Sequence, residues 1–171
     1  MLPDRLLHRQ PPHNSGFTLL EVILVLVLIG IFTVVAIAQH SASDAAVAAQ
    51  AQVLAAHLRY AQMRAMNTDT SWGILYSAGG GYYQLFRSAT EDIAQLPGEE
   101  RDRVDLAAMG MAILSAAAPG TPSSGNFTVQ FDSWGSPQST VAGAETLTLQ
   151  LTQPGHTPQT ITVTRNTGFI P

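Results

Sequence analysis

Hydrophobic and polar positions fall into four regimes along the chain. Residues 1–16 (MLPDRLLHRQPPHNSG) are polar, proline-containing and basic through Arg5 and Arg9. From Val22 to Ala38 (VILVLVLIGIFTVVAIA) there are 17 residues without a charge, interrupted only by Gly30 and Thr33. As a helix this run rises about 25 Å, and with Phe17–Glu21 about 33 Å, close to the hydrocarbon thickness of one bilayer. No other segment approaches that length. From Gln39 to Met66 the chain is rich in Ala, Gln, Leu, Arg and Met and holds neither Pro nor Gly. Val47, Ala51, Leu54, Leu58, Ala61 and Ala65 recur at alternating steps of four and three, which predicts an amphipathic helix. One helix from about Phe17 to Met66, about 75 Å long, satisfies both stretches; a break at Ser41–Asp44 into two helices is the alternative.

Beyond Met66 the period changes to two. Trp72–Tyr76 and Tyr82–Arg87 read as strands joined by Ser77-Ala-Gly-Gly-Gly81 in a hairpin. Residues 88–103 are acidic and polar around Pro97-Gly98 and read as a surface loop. Residues 104–115 fit a strand or a short helix, and 116–125 a loop. Phe127–Phe131, Thr146–Thr152 and Thr160–Thr164 alternate apolar and polar, the last two across a turn at Gln153–Pro158. The expected fold class is α+β: a long N-terminal helix, its first half membrane-spanning, packed on a small antiparallel β-sheet or sandwich. The expected divisions are 1–16, 17–38, 39–66 and 67–171.

Composition narrows the classes. Charged residues are 12% of 171, about half the usual share. All eight basic residues are Arg, and the net charge of −4 speaks against a nucleic-acid partner. Cys is absent, which removes disulfide frameworks and thiol chemistry. Arg5 and Arg9 precede the apolar run and no basic residue follows it until Arg59, so the positive-inside rule places the N-terminus in the cytoplasm. Three readings compete for the apolar segment: a buried helix of a soluble protein, a secretory signal cut at Ala36-Ile37-Ala38, and a short leader followed by a retained helix. Little else in the chain is apolar enough to surround the run, and it exceeds the length of an ordinary signal core, with Glu21 at its mouth. These points favour the third.

Ser15-Gly16-Phe17-Thr18-Leu19-Leu20-Glu21-Val22 resembles the type IV prepilin processing signal: a Gly, an aromatic residue, and Glu at the fifth mature position before an apolar helix. The resemblance implies that a membrane prepilin peptidase cuts after Gly16 and methylates the new amine of Phe17. That leaves 155 residues and a formal charge of −5. The residue chemistry agrees. Gly16 lets an extended backbone enter a narrow protease cleft. A carboxylate near lipid is costly, about 2.5–3.5 kcal/mol at the bilayer centre and less near the interface. Glu21 therefore needs a cation, and the new Phe17 amine, four residues away in the same chain or on an adjacent subunit, is the expected one, met on a neighbour as subunits enter a filament. Read alone, Glu21 is an interfacial acid reaching water. Gly30 and Thr33 fit either close helix packing or ordinary membrane-helix composition.

Leu54–Met66 (LAAHLRYAQMRAM), Phe131–Pro137 (FDSWGSP) and Ile161–Ile170 (ITVTRNTGFI), in that order, resemble the H-type (GspH-like) minor pseudopilins of type II secretion and the related FimT-like minor pilins. The resemblance implies a pilin-like fold and a structural subunit at or near the tip of a pseudopilus that supports export of folded proteins. It implies a single-pass inner-membrane anchor with the C-terminal part in the periplasm. The implied partners are other pseudopilins or pilins, the prepilin peptidase, the inner-membrane assembly platform and membrane lipid. A minor pilin of a type IV pilus is the near alternative, and a soluble periplasmic binding domain released after Ala38 the distant one.

No enzymatic constellation stands out. The five His (8, 13, 40, 57 and 156) lack metal-ligand spacing, so neither metal nor cofactor is expected. Glu99, Glu100, Asp102 and Asp105 read as solvated surface, with calcium the lesser alternative. Gly79-Gly80-Gly81 lacks the strand-to-helix context of a phosphate loop. Ser71, Ser77 and Ser88 lack a nucleophile-elbow context. Trp72 and Trp134 are expected in the core.

Overall fold

The computed structural model describes residues 17–118, 124–139 and 146–171, with side chains except over 36–43, 89–91, 116–118 and at 139. The leader 1–16 and residues 119–123 of the expected 116–125 loop lie outside the described residues. So do the side chains of Ala36-Ile37-Ala38. The chain divides into two units, up to Gln39 and from His40 to Pro171. Helix α1 covers Leu19–Thr68, 50 residues, with no break at Ser41–Asp44.

The second unit is built on the predicted stripe. Val47, Ala51, Leu54, Leu58, Ala61 and Ala65 of α1 are all buried. They form one cluster with the inward side chains of the strands. The strands are β1 (Trp72–Ser77), β2 (Tyr82–Arg87), β3 (Ala89–Ala94), β4 (Arg103–Asp105), β5 (Ala112–Ala118), β6 (Phe127–Phe131), β7 (Pro137–Ser139), β8 (Thr146–Thr152) and β9 (Gln159–Thr164). One antiparallel sheet runs β3-β2-β1-β6-β7, with β4 also beside β2; the other runs β5-β8-β9. Strict alternation fixes the register. In β8, Leu147, Leu149 and Leu151 are buried and pair with Val163, Ile161 and Gln159 of β9, while Thr148 and Gln150 between them take the other face and are half-buried.

The expected 116–125 loop begins later than predicted, because Ala116–Ala118 pair with β8 as the end of β5. Two further expectations are corrected. The 88–103 loop contains a strand, β3, and the start of another, β4. Both lie on one edge of β2, β3 beside Leu85–Arg87 and β4 beside Tyr82–Gln84. Their sequences carry too little apolar alternation to announce a strand; the open edge of β2 recruits them. The second correction concerns Trp134, which lies on the surface rather than in the core; Trp72 is buried as expected. The ambiguous 104–115 stretch resolves into the end of β4, a 3-10 turn at Ala107–Met109 and the start of β5.

Glycine is required where the strands approach closely. A Cβ on Gly73 in β1 would lie 2.4 Å from the Val129 carbonyl oxygen in β6. Gly81 closes the β1–β2 hairpin at φ 65°, and its carbonyl receives the Leu106 and Ala107 amides, tying the 3-10 turn to the hairpin.

Candidate functional site

The expected site lies at the start of α1. Gly16 is outside the described residues. Phe17 and Glu21 are both exposed. Thr18 caps the helix: its Oγ1 accepts from the Glu21 amide at 3.2 Å, and its carbonyl accepts from the Glu21 and Val22 amides. Thr18 and Glu21 thus stand at the N-cap and third helical positions, the spacing of a capping box, with the acid in the turn where the helix dipole favours negative charge. Thr18 is the capping residue that reasoning from sequence missed, although Thr-x-x-Glu before an apolar run is a legible signal. Its hydroxyl orders the turn that presents Glu21 just past the expected new terminus.

Every described side chain from Phe17 to Val35 is exposed, including Val22, Leu24, Leu26, Leu28, Ile31 and Val34, which point all round the helix. Thr33 turns its hydroxyl back to the Ile29 carbonyl at 2.8 Å, so it presents no free donor to an apolar environment. Gly30 has open space where a Cβ would stand. Among the described residues no helix is long and apolar enough to cross a membrane. Described side chains of the run stop at Val35, so residues 36–38 of the expected span fall outside them.

Elsewhere the titratable groups serve the fold. His57 is buried in α1 between Tyr83 of β2 and the loop after β3. Its Nε2 lies 3.1 Å from the Pro97 carbonyl oxygen, and its Nδ1 lies 3.0 Å from the Tyr83 hydroxyl. A carbonyl only accepts, so Nε2 carries the proton and Nδ1 accepts from Tyr83. Burial pushes His57 below the usual histidine value, against the opposing pull of the Pro97 carbonyl and Glu99. Burial, helped by Glu99, pushes the Tyr83 hydroxyl far above its ordinary range. Asp44 accepts from His156 at 3.1 Å and from the Thr157 amide at 3.3 Å, joining α1 to the β8–β9 turn. Among the described residues no cluster of His, Asp and Glu has the makings of a metal site, the 99–105 segment included.

The family of the prokaryotic N-terminal methylation motif matches residues 11–37. The family of the type II transport protein GspH matches residues 50–168. The chain belongs to the GspH family. It is a structural, pilin-like subunit of type II secretion, with the methylation motif ahead of the GspH match in the chain. Its fold is similar to that of the minor pseudopilin EpsH from the type 2 secretion system of Vibrio cholerae. One EpsH structure has 12% identity over 73% of this chain and 93% of that chain, at a TM-score of 0.53. A second has 12% identity over 77% and 93%, at 0.52. The type IV minor pilin FimU of Pseudomonas aeruginosa has 13% identity over 78% of this chain and 87% of that chain, at a TM-score of 0.45. At these identities the likenesses establish the fold. No curated protein matches the chain.

Proposed function

We propose that this GspH-family chain is a minor pseudopilin that works by assembly, without a catalytic step, at or near the tip of a type II secretion pseudopilus. Residues 1–16 are the leader, removed by a prepilin peptidase after Gly16, and the amine of Phe17 is then methylated. Residues 17–38 hold the subunit in the inner membrane until it is extracted into the filament. Residues 39–66 continue the helix, and residues 67–171 fold with them in the periplasm.

One observation carries this reading. A helix exposes apolar side chains on all sides from Leu19 to Val35, behind a hydrogen-bonded first turn that holds an acid. Such a surface is stable only in lipid or among like helices. Once that root is packed among apolar helices, its acid is stabilised by a nearby cation. The terminal ammonium of a neighbour's Phe17 meets that need, and methylation preserves its charge.

The N-terminal residue of the protein in cells tests the proposal. Mass spectrometry should find N-methylated Phe17 in the membrane fraction. A soluble periplasmic form beginning at Gln39 would overturn it. Glu21→Ala should leave cleavage intact and abolish co-sedimentation with sheared filaments; normal incorporation would remove the role of Glu21.

A further inference from the structure

Trp134 is 86% exposed, more than any other large apolar side chain described from His40 onward. Its turn is nevertheless tightly built. Asp132 Oδ1 accepts from the Trp134 amide at 3.0 Å and the Ser136 amide at 2.9 Å, and the Gly135 amide donates to the Asp132 carbonyl at 2.9 Å. A second turn lies against it: the Gly168 amide donates to the Thr164 carbonyl, and the Thr164 amide to the Phe169 carbonyl. Gln62 of α1 joins the two, its Nε2 donating to the Gly135 carbonyl at 2.9 Å and the Thr167 carbonyl at 3.3 Å. Met66, one turn further along α1, is packed so closely that a Cβ on Gly135 would lie 2.9 Å from its sulfur. Around this hydrogen-bonded centre stand Trp134, Phe169 (63% exposed) and Met66 (56% exposed).

A projecting indole on a pinned turn loses little conformational freedom when it docks, which is the property of an interface anchor. Size and charge indicate what it docks on. Aromatic side chains bury roughly 150–250 Å² each, so three partly exposed apolar groups offer about 400–500 Å², well short of the roughly 800 Å² per partner of a self-sufficient interface. That area is too small for a stable pair of identical copies and suits one of several simultaneous contacts. The two turns carry one charge of each sign, Asp132 and Arg165. This is the mixed rim of a protein contact rather than the cationic rim that an anionic lipid surface selects.

We propose that Trp134, flanked by Phe169 and Met66 and positioned by Gln62, anchors this subunit in an apolar pocket of a neighbouring, non-identical filament subunit. The proposal rests on the filament reading above and names a contact that reading does not contain.

The test uses the full-length chain in its native cells. A photoreactive benzoylphenylalanine replaces Trp134, and adducts are identified by mass spectrometry. The expected adduct is one protein that itself starts with a methylated residue after a prepilin-type cut. In detergent extracts, Trp134→Ala should reduce co-purification of that protein by at least about tenfold with the melting temperature unchanged. Gln62→Ala should weaken the same adduct. Adducts only with a second copy or with lipid, no adduct, or undiminished co-purification of Trp134→Ala would overturn the proposal. The N-terminus of the chain, read in the same samples, separates this outcome from failure of the filament reading: methyl-Phe17 without the adduct condemns the docking surface alone.

Discussion

The two halves of α1 are both rich in apolar side chains, and the chain treats them in opposite ways. From Val47 to Ala65 a single apolar stripe is buried in the core that the strands of the same molecule complete. From Leu19 to Val35 apolar side chains occupy every face, and all of them are exposed. A single stripe can be satisfied by one packed layer, whereas an apolar surface on all sides needs surroundings on all sides. The back half is therefore a folding element, and on the proposed function the front half is an assembly element. Substitutions in the two should fail in different ways.

The largest effect is expected in the back half. Leu58→Ala should cost about 2–5 kcal/mol through the cavity it opens, lowering the melting temperature by roughly 2–4 °C per kcal/mol while leaving membrane retention untouched. Calorimetry and fractionation of the same variant would show it. Val27→Asp should do the reverse. A charge in a membrane helix costs about 2.5–3.5 kcal/mol, so the membrane-retained fraction should fall sharply while the stability of the second unit stays within about 0.5 kcal/mol of wild type. If both variants moved the same observable, the division of labour within α1 would be wrong.

Acid probes the packing of α1 on the sheets. Because His57 is held below its unfolded value, the folded protein resists its protonation. The stability this linkage provides is complete above about pH 6.5 and declines as pH falls below that value toward the lower folded one. His57→Gln should flatten that part of the stability–pH curve in denaturant titrations at closely spaced pH values. A curve as steep as wild type would place the acid sensitivity elsewhere. The smallest effect belongs to the first turn. Thr18→Ala removes the cap on the Glu21 amide and should cost about 0.5–2 kcal/mol locally. It should appear as faster amide exchange at residues 19–22 with no change in the melting of the sheets.

Much of this was legible from residue order. The stripe from Val47 to Ala65 was readable because apolar residues spaced four and three apart over about five turns match an amphipathic helix and no strand period. β2, β6 and β8 begin and end where their alternation does. β3 and β4 were not legible, because their pairing depends on the open edge of β2 rather than on their own pattern. His57 sits within the stripe's span as an apparently misplaced polar residue. Only the approach of Pro97 and Tyr83, 40 and 26 residues away, makes its burial tolerable. The Thr18 cap was written in the sequence as Thr-x-x-Glu and overshadowed by the processing signal that contains it.

What residue order determined by itself is local and periodic: a leader-like segment, an apolar helix with an acid at its root, and strands that bury one face. These follow from side chains whose solvent preference repeats with the period of the backbone, so no distant partner is needed to read them. What only the tertiary structure decided depends on groups far apart in the chain arriving at one place. Two turns from separate strand ends meet over Gln62 and hold Trp134 outward, although hydrophobicity alone would have sent it in. Asp132 builds the Trp134 turn from its own neighbours, but its placement depends on Gln62, 73 residues away from Gly135, and no pattern of neighbours in sequence encodes that contact.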